Sequence, residues 1–139
     1  MKKPACALVL LASLGLTACG SSVSCSSSDV KDTLRSIFTD TTEDSRLLEA
    51  LDSMEVTGIA TLGVDKELGN YRCSAELRYE GEKRTVAQDV EYTVQAIESD
   101  DADFQIRYNT SEFGRFKTEV AGTVGLSFSE ILRERLRDP

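Results

Sequence analysis

Histidine and tryptophan are both missing from this chain of 139 residues. Without histidine there is no imidazole to act as acid or base, and the commonest metal ligand is gone. The four cysteines form no Cys-x-x-Cys pair, so a zinc or dithiol redox site has no foothold. No glycine-rich phosphate loop, dinucleotide fingerprint or Gly-x-Ser-x-Gly elbow is present. Past residue 18 no stretch approaches the roughly 20 apolar residues that a membrane-spanning helix needs. Basic residues are outnumbered, 16 against 24 acidic, and the net charge of −8 opposes binding to nucleic acid.

Carboxylate pairs remain possible in principle. Asp100, Asp101 and Asp103 cluster in a predicted turn, where a charge run reads as solvated surface. The same run lacks the glycine and distal glutamate of a calcium loop. No catalytic residue, no metal ligand and no cofactor is therefore expected, and the chain is not read as an enzyme.

What is present begins at the start. Lys2 and Lys3 precede an apolar run that closes on Leu16-Thr17-Ala18-Cys19. A basic start, an apolar segment and small residues before a cut site form an export signal. Leu16-Thr17-Ala18-Cys19 resembles the lipobox of bacterial lipoproteins. The resemblance implies that residues 1–18 are a signal peptide, that cleavage falls before Cys19, and that Cys19 carries acyl chains. Two or more chains anchor a protein stably where one does not. Gly20 differs from the aspartate that resembles an inner-membrane retention signal. The expected address is the bacterial cell envelope, lipid-anchored in the outer membrane and facing the periplasm, or the outer face of the plasma membrane in a cell with one membrane. In that setting the Asn109-Thr110-Ser111 sequon is not read as a glycosylation site.

Removal of residues 1–18 leaves 121 residues, enough for one domain, with 14 basic against 24 acidic groups, a net charge of −10. Residues 19–103 carry 19 acidic and 8 basic groups, whereas residues 104–139 carry 5 and 6. The acidic body favours a basic partner, while Arg107, Arg115, Lys117, Arg133, Arg135 and Arg137 gather near the end. Cys6 departs with the signal and Cys19 takes the lipid. Cys25 and Cys73 remain, and in an oxidising compartment a disulfide between them is the default expectation. Residues 19–28 then form a lipidated cysteine with a short serine-rich tether. Gly20 to Ser24 span roughly 20 Å at most, so the domain would sit close to its membrane.

Residues 29–126 are read as one α+β domain. Val30, Leu34, Ile37 and Phe38 make one apolar stripe, predicting a helix from Asp29 to about Phe38 capped by Ser28 or Asp29. A second helix over about Thr42 to Ser53, with Asp40 and Glu43 as a capping box, buries Leu47, Leu48 and Leu51. One bent helix is the alternative. Val56 to Val64 is a strand apolar on most of both sides. Tyr71, Cys73, Ala75, Leu77 and Tyr79 alternate with polar residues as a half-buried strand. Val86 to Ala96 and Phe104 to Tyr108 follow as two more. Short turns make the strands antiparallel neighbours. Phe113 to Val124, interrupted by glycines, reads as a fifth strand or an irregular flap. A last helix over 127–139, capped by Ser127 or Ser129, buries Ile131, Leu132 and Leu136 and packs on the sheet.

One or two helices on a four- to five-stranded antiparallel meander, with a short C-terminal helix, resembles the cystatin-like and nuclear-transport-factor-like scaffold of many small exported proteins. The expected function is that of a non-catalytic protein-interaction module: an inhibitor, immunity or assembly factor for a basic protein partner. The alternative is a small-molecule or lipid carrier using a pocket between helix and sheet, where Tyr71, Tyr79, Tyr92 and Tyr108 would otherwise serve only packing.

Overall fold

The computed structural model describes residues 23–97 and 103–137. Cys19 and its signal, together with Asp100 and Asp101, lie outside the described residues. Eight elements follow one another: α1 (Ser28–Thr39), α2 (Ser45–Asp52), β1 (Glu55–Asp65), β2 (Asn70–Glu80), β3 (Thr85–Ala96), β4 (Phe104–Tyr108), α3 (Thr110–Thr123) and α4 (Phe128–Arg135). The strands form one antiparallel meander in the order β1-β2-β3-β4. The fold is therefore α+β, with four strands rather than five.

Val30, Leu34 and Phe38 sit one above another on α1 and are buried. Ser27, not Ser28 or Asp29, occupies the N-cap, and its hydroxyl donates to Ser24 O (3.0 Å) instead of capping the helix. Helices α1 and α2 are separate. Asp40 closes α1 through its own N–H to Ser36 O, and the buried Thr42 hydroxyl donates to Phe38 O at 2.7 Å. The cap of α2 is Asp44, whose carboxylate accepts from Arg46 N and Leu47 N. The Arg46 guanidinium hydrogen-bonded to that carboxyl holds it below its ordinary value. Leu47, Ala50 and Leu51 form the buried side, while Leu48 is exposed.

On β2 the inward residues are Cys73, Ala75 and Leu77; on β3 they are Val86, Val90, Tyr92 and Val94. Ala96, the next position in that alternation, is exposed. Strand β1 departs further from its expected burial on two sides. It is an edge strand, broken by register shifts between Thr57 and Ala60 and between Thr61 and Gly63, with Gly58 at φ +58°. A bulged edge lies beyond the reach of the helices, so Ala60, Leu62 and Val64 stay exposed.

Residues 110–123 are a helix, not a fifth strand or a flap. Gly114 and Gly122 each cost about 1 kcal/mol against alanine. The cost is offset by a cap, Asn109 accepting from Ser111 N, and by burial of Phe113, Phe116, Val120 and Ala121. Gly125, at φ +82°, then stops the helix. Leu126 N donates to Ala121 O and Gly125 N to Gly122 O, the paired bonds of a Schellman ending. Ser127 and Glu130 form a reciprocal capping box at the start of α4. The face of α4 is turned in part from expectation: Ile131 packs on the core as expected and Glu134 is buried, whereas Leu132 and Leu136 are 44% and 86% exposed. Phe38 stacks on Phe113 at 5.1 Å and meets Phe116 edge-on, joining α1 to α3 at the centre of the core.

Candidate protein-binding face

Core side chains of α1, α2 and α3 meet the inward residues of β2 and β3 in one cluster. Among the described residues nothing covers the opposite face of the sheet. Its side chains follow from the register. The β2–β3 turn occupies residues 81–84, with Glu80 opposite Thr85, which sets Arg78 opposite Ala87, Glu76 opposite Asp89, Ser74 opposite Glu91 and Arg72 opposite Thr93. Directly paired residues share a face, so this surface brings Glu76, Asp89 and Glu91 together.

A groove of about 650 Å³ runs over them, bounded by Gly58 and Leu62 of β1 and by Glu112 of α3. The β1 bulge opens one wall. The other arises where β4 stops: its last pair is Tyr108 with Tyr92, so the edge of β3 beyond that point has no strand neighbour. Glu112 takes that place, its carboxylate accepting from Glu91 N (3.4 Å) and its carbonyl from the Gln88 side chain (2.9 Å). Four carboxylates thus surround a floor of strand backbone. Arg78 is the adjoining cation, 3.8 Å from Glu76 and 3.3 Å from Glu80. Thr57 donates to Glu76 at 3.5 Å.

The two acidic partners Glu76 and Asp89 stand directly opposite each other. Like charges so placed are destabilising, and only Glu76 has the partial relief of Arg78. A cationic side chain laid in the groove would meet carboxylates on both walls. No group of three or more Cys, Asp or Glu among the described residues is placed to hold a metal ion.

Cys25 and Cys73 are joined by a disulfide that ties the residues before α1 to β2. Tyr92 donates to Cys25 O at 3.0 Å beside it, and burial pushes the Tyr92 hydroxyl up to about 12. The four tyrosines share no groove: Tyr79 alone borders an open one, about 550 Å³ between α2, the β2–β3 turn and the end of α3. Tyr92 is buried, Tyr108 packs on Phe113 at 4.5 Å, and Tyr71 and Tyr79 are half-buried against the core. The Asp103 carbonyl accepts from Ile97 N where β4 begins. Arg107 lies on the open sheet face, Arg115 is exposed on α3, and Arg133 and Arg135 are exposed on α4.

A second polar cluster is internal. Lys117 and Glu134 are both buried, with Nζ and Oε2 3.9 Å apart. Lys117 also donates to Thr41 O and Thr41 Oγ1 at 3.4 and 3.3 Å, and Glu134 accepts from Glu43 N and Asp44 N. The cluster joins α4 and α3 to the segment between α1 and α2. A cavity of about 40 Å³ adjoins it, between Phe38, Tyr108, Phe113 and Lys117.

The groove was not apparent from composition, because Glu76, Asp89 and Glu91 are unremarkable polar positions of two alternating strands. The turn length carried the signal: with four residues between Glu80 and Thr85, Glu76 and Asp89 must pair. The chain matches no protein-family model, no curated protein and no solved structure.

Proposed function

We propose that this chain is a lipid-anchored envelope protein that binds a basic protein partner across the open face of its sheet, without catalysis. The observation that carries the reading is the one-sided layering: all the helix packing lies on one face, and the other presents Glu76, Asp89, Glu91 and Glu112 around a groove. Arg72, Arg78 and Arg107 stand on the same face, but the groove lining carries carboxylates as its only charged groups, which steers a basic side chain into it and repels an acidic one. The disulfide suits an oxidising, exported location, and the lipobox resemblance supplies the anchor.

The carrier reading has weaker support. Ligand pockets run to about 300–1,000 Å³. The space between α1, β4 and α3 is about 40 Å³, room for a few waters at most. The groove between α2, the β2–β3 turn and the end of α3 has the volume, about 550 Å³, but it is open and lined by the charged Arg46, Glu49, Glu80, Glu82 and Lys83, a poor seat for an apolar ligand.

The test is recovery of partners from the envelope fraction by the lipidated protein at low and at high salt. A basic protein held at low salt, released at high salt and lost with Glu91→Lys supports the reading. Recovery that ignores both salt and Glu91→Lys rejects the open face as the binding surface.

A further inference from the structure

Large exposed apolar side chains fall into two groups, apart from Leu48. One lies in the β1–β2 hairpin: Leu62, Val64 and Leu68, exposed by 42%, 47% and 66%. The other lies on α4: Phe128, Leu132 and Leu136. They occupy opposite ends of the domain. The N-terminal end of α1 follows Cys25, bonded to β2 at Cys73, and its C-terminal end leads to Thr41, which meets Lys117 beside α4. The twelve residues of α1 separate those ends by about 18 Å.

We propose that the end of the β1–β2 hairpin, through Val64 and Leu68, rests on the lipid surface that holds Cys19, with Leu62 left at the edge of the groove. The inference depends on the lipid anchor of the proposed function and adds the surface by which the domain meets its membrane. Three observations select lipid as the occupant. First, the chain enters the described structure beside this hairpin: Val23 packs on the core, Thr61 donates to Cys25 Sγ at 3.4 Å, and Thr61 pairs with Cys73. Second, Cys19 is six residues before Cys25, so the anchor lies within about 20 Å of that point. The hairpin turn begins three residues from Cys73, about 10 Å along the strand. A domain on so short a tether touches its bilayer with whatever surrounds the point of exit.

Third, the turn is built to present leucine. Asp65 accepts from Glu67 N and Leu68 N, both at 3.1 Å, and Gly69 takes φ +65°. The Asp65 carboxylate is thereby drawn into the turn, while Leu68 projects as the most exposed apolar side chain of the hairpin. Asp65, Lys66 and Glu67 leave the tip at net −1, which suits zwitterionic rather than anionic lipid. Seated this way, β1 and β2 rise from the membrane and the acidic face looks sideways, open to a partner in the adjoining space.

The chain's lack of tryptophan allows a direct test. Leu68→Trp and, at the opposite end, Phe128→Trp are made in the full chain, processed in a bacterium and reconstituted into phosphatidylcholine vesicles with brominated acyl chains. Mass spectrometry reports acylation of Cys19 in each sample. The expected result is a blue-shifted emission, quenched about twofold or more by bromine for Leu68→Trp and unquenched for Phe128→Trp. An acylated, vesicle-bound Leu68→Trp protein without quenching overturns the hairpin contact and leaves the anchor standing. A blue shift without bromine quenching means the hairpin is covered by a second copy, and overturns it too. An unacylated Cys19, with no protein on the vesicles, removes the anchor and the contact together.

Discussion

Lys117 of α3 and Glu134 of α4 face each other inside the protein, 3.9 Å apart and both nearly inaccessible to solvent. The carboxylate also accepts two backbone N–H groups from Glu43 and Asp44, so it serves as the seat of α4. Removing one member of a buried pair costs about 3–5 kcal/mol when the other charge is left uncompensated, an upper figure here because Lys117 keeps its bonds to Thr41. Glu134→Leu is expected to lower the urea midpoint by that scale, and adding Lys117→Met should restore part of the loss. A double-mutant cycle with no coupling would show that the two charges are independently satisfied.

The same pair explains why the sequence misplaced the face of α4. Ile131, Leu132 and Leu136 are the apolar positions, and hydrophobic periodicity turns them inward. Only Ile131 packs on the core; the buried carboxylate turns Leu132 and Leu136 outward. Arg137, 3.7 Å from Glu134, is the counter-ion visible within the segment, but nothing local announces the buried lysine of α3. By contrast α1 and β2 were legible, because Val30, Leu34 and Phe38 keep a helical stripe and Cys73, Ala75 and Leu77 keep strict alternation. Helix α3 was not, since Gly114 and Gly122 speak against a helix locally while Phe113 and Phe116 stabilise it through tertiary contacts, with Phe38 for both and with Tyr108 for Phe113. The acidic groove was half legible. The alternation of β2 and β3 placed its carboxylates on the outer face, but only the exact residue pairing brings Glu76 opposite Asp89.

The Cys25–Cys73 bond closes a loop with a sequence separation of 48 residues. Chain entropy alone assigns such a link about 4 kcal/mol, as an upper figure. The protein with Cys25→Ala and Cys73→Ala together should unfold at a markedly lower urea concentration, and reducing agent should destabilise the natural chain to a similar degree. Equal midpoints with and without reductant would mean that the packing of α1 and Tyr92 alone holds the N-terminal segment in place.

Tyr92 gives the fold an alkaline limit. Its hydroxyl, donating to Cys25 O, is held protonated by burial, up to about 12 in the folded protein against an ordinary 10.0. In the unfolded chain the phenol loses its proton first. The unfolded state then binds fewer protons than the folded one, so stability falls as pH rises from about 10 to about 12. Tyr92→Phe should flatten that part of the pH profile, while costing about 1 kcal/mol at neutral pH for the lost hydrogen bond. Chemical denaturation across this range, with and without the substitution, reads both effects.

Asp89 is where stability and the proposed binding pull apart. It faces Glu76 across β2 and β3, and relief of a like-charge cross-strand pair is worth about 0.2–1 kcal/mol. Threonine is also a better strand residue than aspartate. Asp89→Thr should therefore raise the urea midpoint slightly, an unusual result for a single substitution. Binding should move the other way, because the groove loses a carboxylate from the wall opposite Glu76. A more stable protein that recovers less of its basic partner at low salt is the expected outcome. Higher stability with unchanged recovery would leave the charge pair as a local defect of the sheet and place the partner on another surface.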